Sequence, residues 1–235
     1  FHRKDILMKL NYDIHYGTFI RRPNRFIAHV DKSGEEVICH VPNTGRLKEL
    51  LYPGAEVVIS YHPSSNRKTK YELRMVRKKA SWISIDSQIP NAIAAEAIKS
   101  GAIAELKGYS SLNREATYKN SRFDIQLIGD DTCFVEIKGV TLEKDGWSYF
   151  PDAPTERGRK HIDEIIDAVE NGYRGVLLFV VQIDYAEGFS PNSSMDPAFA
   201  QKVKKAAQAG VEILAYRCSV SPYEIKITDK IPVKI

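Results

Sequence analysis

Two carboxylates and an ammonium group stand within residues 121 to 138 at spacings that suit metal-assisted chemistry. Asp124 ends the run Ser121 to Asp124, and after an acidic turn comes Phe134-Val135-Glu136-Ile137-Lys138. In an extended chain, side chains two apart share a face, so Glu136 and Lys138 project together. Two charges among Phe134, Val135, Ile137 and Val140 need a local reason. If Gly129 to Asp131 forms a three-residue hairpin loop, Ile128 pairs with Thr132 and Asp124 falls opposite Glu136, with Cβ atoms roughly 4.5–5.5 Å apart. Carboxylates that close repel, and an oxygen-seeking cation such as Mg²⁺ or Mn²⁺ relieves them. A four-residue loop would put them on opposite faces unless a bulge restored the phase. The same residues also read as the polar face of a surface hairpin, with Gln126 beside the acids and Glu136 paired to Lys138.

A third acid, Glu96, stands three residues after Ile93 and seven after Ile89, on the edge of an apolar helical stripe. It reads either as a further metal ligand or as a border residue. Thr155 caps a helix that begins with Arg157, Arg159 and Lys160 in or near its first turn. Cations there oppose the helix dipole, and an incoming phosphate would explain them; exposure to water is the plainer account.

The elements that would position these groups fall into two halves. Up to residue 85 there are short alternating runs broken by turns: strands over residues 17–30, 36–41, 56–61, 71–76 and 81–85, with a helical turn at 46–51. That series predicts a five-stranded barrel of the OB type, although an SH3-like barrel would read much the same. From residue 86 the pattern is mixed α/β. It has a helix over 91–100, a meander over 115–140, the Thr155 helix to Gly172 with Ile162, Ile165, Ile166 and Val169 as its stripe, and a strand over 176–183. A helix over 196–209 and strands over 211–216 and 224–227 complete it. Two domains, 1–85 and 86–235, are expected.

Charge divides at the same place. Residues 1–85 hold 16 Lys/Arg against 8 Asp/Glu, a net +8, whereas residues 86–235 hold 18 against 22, a net −4. A basic front predicts a polyanion such as DNA as partner. Arg21, Arg22 and Arg25 on the first hairpin, Arg67, Lys68 and Lys70 on a basic loop, and Arg122, Arg157, Arg159 and Lys160 are the candidate phosphate contacts. Nothing resembles a recognition helix, which predicts little base-specific readout.

Cys39, Cys133 and Cys218 are far apart and odd in number, which fits reduced thiols in a cytoplasmic protein and gives no structural zinc spacing. The longest apolar run, residues 176–183, is of strand length, so no membrane partner is expected. The start, Phe1 to Asp5, has neither an initiator Met nor a signal-type apolar stretch and reads as truncated or carrying added residues. A homodimer is compatible with the whole.

Several runs together resemble the SfsA family, the sugar fermentation stimulation proteins of bacteria and archaea. They are His40 to Gly45, Ser121 to Asp124, Val135 to Lys138 with Val140 to Leu142, Phe150 to Ala153, Thr155 to Gly158 with Lys160 and His161, Val176 to Phe179, and Asp196-Pro197. The likeness runs in order from about Gly17 to the end. Val41 stands where the family usually has Cys, Gly139 where Asn often follows the lysine, and Pro154 where Val is common. The resemblance implies an OB-like N-terminal β-barrel and a C-terminal restriction-endonuclease-like, or PD-(D/E)xK, α/β domain. It also implies DNA binding and a regulatory role in sugar metabolism. Asp124, Glu136 and Lys138 fall on the nuclease-like acid, acid and lysine. An active site of that kind would be a metal-dependent nuclease hydrolysing phosphodiester bonds, although a fold alone does not establish the activity.

Overall fold

A computed structural model describes residues 8–10, 13–63 and 68–235. In chain order the strands of the first half are β1 (Met8–Lys9), β2 (Asp13–Asn24), β3 (Ile27–Lys32), β4 (Glu35–His40), β5 (Glu56–Tyr61), β6 (Tyr71–Lys78) and β7 (Ser81–Ser84). The second half comprises α1 (Ile89–Lys99), β8 (Ser111–Tyr118), β9 (Ser121–Ile128), β10 (Thr132–Val140), β11 (Leu142–Lys144), β12 (Trp147–Phe150), α2 (Glu156–Glu170), β13 (Arg174–Val181), β14 (Gly188–Pro191), α3 (Pro197–Gln208), β15 (Glu212–Ser221) and β16 (Glu224–Lys230).

In the first half, β2 pairs with β3 and β5, β3 with β4, and β5 with β6. Parallel bridges Cys39↔Tyr71 and His40↔Glu72 join β4 to β6 and close the ring. The result is the expected OB barrel of five strands, with β7 added outside β6. Closure removes free edges, and the alternating residues Ala28, Val30, Val37 and Cys39 fill the interior. Residues 46–51 hold one turn over 48–50, closed by Leu51 N donating to Leu47 O at 2.8 Å. Strand β1 lies apart from the barrel and pairs antiparallel with β16 at the edge of the other sheet.

The second half is built on a seven-stranded mixed sheet, ordered β1-β16-β15-β13-β10-β9-β8. The central strand β13 lies parallel to both β10 and β15 and is buried almost throughout, as an apolar run covered on two faces must be. Helices α2 and α3 cover one face through Ile162, Ile165, Phe199 and Val203; α1 covers the other through Ile89, Ile93 and Ala97. The stripe of α2 runs through Gly158, Ile162, Ile165 and Ala168, while Ile166 and Val169 are half-buried flanks. Both cores cross the domain boundary. Barrel interior residues join the α2–α3 core, and Val58 and Met75 of the barrel wall join the α1 core. A continuous apolar seam of this kind holds two domains in one orientation.

Candidate functional site

The three-residue loop is present: Ile128 faces Thr132, and the ladder of β9 on β10 runs to Ile125 opposite Val135. There it stops. The backbone N–H of Ile137 donates instead to Asp124 Oδ2 at 2.7 Å, so a side chain replaces the next rung of the sheet. Asp124 Oδ1 accepts from Asn91 Nδ2 of α1, also at 2.7 Å. Its neighbour Phe123 is released onto the α2 face, its ring 4.9 Å from that of Phe134.

Glu136 points to that same face and is 1% exposed. Its Oε1 accepts from Lys138 Nζ at 2.5 Å and meets His161 Nδ1 of α2. The other nitrogen of His161, Nε2, accepts from Arg157 Nε at 3.3 Å, which leaves the ring proton on Nδ1 and aims it at Glu136. Oε2 of Glu136 is buried with no hydrogen-bond partner.

These surroundings split the two acids. Burial and the nearby charge of Glu136 push the Asp124 carboxyl up, against the Ile137 N–H, Lys138 and Asn91. Burial pushes Glu136 up as well, but the His161 hydrogen bond and the Lys138 ammonium outweigh it and hold the carboxyl below its ordinary range.

The donor set suits a hard cation. An orphaned carboxylate oxygen and a second carboxylate offer oxygen ligands, and Mg²⁺-type ions complete their shells with water and phosphate oxygens. Among the described residues, no group of three or more His, Cys, Asp or Glu is arranged to hold a metal by itself. Glu96 is not drawn into this corner. It is half-buried on α1, five residues past Asn91, which at 3.6 residues per turn is about 140° round the helix. Asn91 is the α1 residue that touches Asp124.

Beside Lys138 opens a cavity of about 350 Å³, roofed by the loop between β4 and β5 and floored by Gly139 and Gln182. Arg22 shapes that roof. Its guanidinium donates to the carbonyls of Gly45, Arg46, Arg25 and Asn43 at 2.7 to 3.0 Å, so it braces the loop instead of facing a phosphate. Asp152 Oδ2 accepts from Leu47 N at 3.4 Å across the domain boundary.

The remaining basic candidates divide between free and committed groups. Arg159 donates to Asp196 Oδ2 at 2.7 Å, and this neutralises the charge that a phosphate was expected to answer. Arg21 reaches Glu36 at 3.5 Å, Arg122 reaches Glu115 at 3.1 Å, and Lys160 reaches Glu164 at 3.5 Å, all from exposed positions where such pairs bind weakly. Arg25, Lys68 and Lys70 are exposed on the barrel; Arg67 lies outside the described residues.

No helix among the described residues is long and apolar enough to cross a membrane. Residues 20–85 match the family model described as the SfsA N-terminal OB domain, and residues 88–224 match that of the sugar fermentation stimulation protein RE domain. The chain is 47% identical to the sugar fermentation stimulation protein homolog of Thermoanaerobacter pseudethanolicus over 96% of this chain and 99% of that one. It is also 47% identical to the homolog of Clostridium tetani, over 97% and 99%. Among solved structures, SfsA of Pyrococcus furiosus in complex with Ca²⁺ superposes with a TM-score of 0.89 at 29% identity, covering 97% of this chain and 99% of that one. Matches to both family models, and to relatives along nearly their full length, place this chain as a member of the SfsA, or sugar fermentation stimulation protein, family.

Proposed function

We propose that the protein binds DNA, largely without regard to sequence, and holds a divalent cation between Asp124 and Glu136. The observation that carries this reading is Glu136 Oε2, a buried carboxylate oxygen without a partner, in a corner that already supplies an ammonium and an imidazole N–H to its twin. A group so placed is costly to leave unsatisfied. The Ca²⁺ held by the P. furiosus relative supports an oxygen-ligated ion. Exposed Arg25, Lys68 and Lys70 on the barrel supply salt-dependent attraction to phosphates.

Phosphodiester hydrolysis is the second reading, favoured by Lys138 Nζ at 2.5 Å from Glu136. A bound divalent ion supplies Lewis acidity and a water of lowered pKa. Lys138 neutralises charge growing on the phosphoryl oxygens, and His161 fixes the orientation of the Glu136 carboxylate. Calorimetric titration of Mn²⁺ into the wild type and Glu136→Ala tests the site: binding heat is expected only in the wild type, and equal heats reject the assignment. Gel shifts of DNA at several salt concentrations test the partner, and a flat salt response rejects phosphate-led binding. Incubating linear, nicked and branched DNA with Mn²⁺ tests hydrolysis; cleavage that persists in Glu136→Ala places it elsewhere.

A further inference from the structure

Asn43, Thr44 and Ser87 line two cavities at once. One is the 350 Å³ space beside Lys138; the other, of about 770 Å³, opens on the barrel side and is reached by Phe26, Lys68 and Arg114. They are two ends of one cleft along the domain boundary.

Each end carries groups awaiting a partner of a particular kind. At the inner end, Gln182 lines the cavity and is 1% exposed, and its Oε1 is buried without a hydrogen-bond partner. At the outer end the Phe26 ring is 47% exposed, with the Arg25 guanidinium 5.0 Å from its centroid. Lys68 and Arg114, one from each domain, are exposed cations on the banks. The acids of the outer wall are not bare: Arg74 bridges Asp86 and Glu72, the latter at 3.3 Å. Aromatic face, flanking cations and a recessed amide are the parts by which proteins grip unpaired bases and their backbone.

We infer that this cleft takes single-stranded nucleic acid, with one unpaired nucleotide seated in the inner cavity and a base N–H donated to Gln182 Oε1. The inference rests on the nucleic-acid reading above and narrows it to strands with unpaired nucleotides. Size sets the limit. A cavity of 350 Å³ is near the lower end for one drug-sized ligand, roughly 300 Å³ upward, and has no room for a base pair and its two backbones. A base inside a duplex would first have to be turned out of its stack.

The test is fluorescence anisotropy with a labelled mixed-sequence oligonucleotide, alone and annealed to its complement as a blunt duplex. EDTA is present throughout, so that metal binding and hydrolysis play no part. The single strand is expected to bind at least about tenfold more tightly than the duplex. Phe26→Ala should weaken the strand about tenfold and Gln182→Leu about fivefold, each leaving duplex affinity within about twofold. Phe26 is exposed, so its variant carries the test even if the buried Gln182 variant does not fold. Equal or tighter duplex binding, or a folded Phe26→Ala that grips the strand as well as the wild type, overturns the cleft and leaves DNA binding standing. Absence of binding to either form overturns both.

Discussion

Glu136 Oε1 receives the Nδ1 proton of His161, a residue 25 positions later on another element. Because Arg157 occupies the far nitrogen, the ring has one tautomer that satisfies both neighbours. The imidazole therefore belongs to the Glu136 corner as much as Lys138 does.

His161→Ala removes that donor and lets the Glu136 carboxyl drift up from its depressed position. Affinity for Mn²⁺ should fall roughly 10–100-fold by calorimetry, as for other partners that orient a metal ligand. His161→Asn keeps an N–H donor and should recover part of the loss. Unchanged affinity in His161→Ala would show that the imidazole is a bystander.

Gly139 lies where β10 passes beneath the first turn of α1, and a Cβ there would sit 2.6 Å from Pro90 Cγ. Gly139→Ala must push α1 outward, at about 1–3 kcal/mol measured by urea unfolding. Asn91 follows Pro90 directly, so the same shift should loosen its hold on Asp124. A variant as stable as the wild type would mean that the helix yields without strain.

Glu143 fastens the two domains. Its carboxylate is 3% exposed and meets Lys78 at 2.7 Å and Lys79 at 3.3 Å from the barrel, with Tyr185 donating at 3.0 Å. Burial alone would raise its carboxyl, but Lys78, the Gly146 N–H and Tyr185 overcome that and bring it down from 4.5 to about 2. A carboxylate with a depressed folded pKa contributes fully above its unfolded value. That contribution, on the order of 3 kcal/mol, should fade as pH falls from about 4.5 towards 2. Glu143→Gln should flatten this part of the stability–pH curve; a variant curve parallel to the wild type would contradict the clasp.

Arg22 and Lys68 should behave oppositely in salt titrations of DNA binding. Lys68→Ala removes an exposed cation, and the slope of log K against log salt should lessen by about 1. Arg22→Ala unfastens the loop over the inner cavity and should destabilise the barrel by about 1–3 kcal/mol while leaving the slope unchanged. A lower slope for Arg22→Ala would return it to the phosphate contacts.

Much of this arrangement was legible from residue spacing. Alternation in the first half and helical stripes in the second predicted the barrel and the mixed sheet, and counting across Gly129 to Asp131 gave the register of β9 on β10 as far as Ile125 opposite Val135. What counting could not supply was the rupture of the ladder at Asp124, because a side chain that mimics a backbone acceptor leaves no periodic signature. His161 could have been found. Positions 158, 161, 165 and 168 keep the three- and four-residue steps of one helical face, which places the half-buried imidazole on the flank of the buried stripe of α2. The partners of Arg22 and Arg159 were not legible for a common reason: composition counts charges, whereas their acceptors, loop carbonyls and Asp196, are assembled only by the fold.

The pairing of β1 with β16 makes Met8 and Lys9 a shield for part of the far border of the larger sheet. Expressed from residue 86 onward, the second domain would present the outer backbone of β16 bare, a template on which another strand can add. Such a fragment would tend to self-associate for reasons unconnected with its chemistry. Deleting Met8 and Lys9 should weaken a region more than two hundred residues away in sequence before it disturbs the barrel that directly follows.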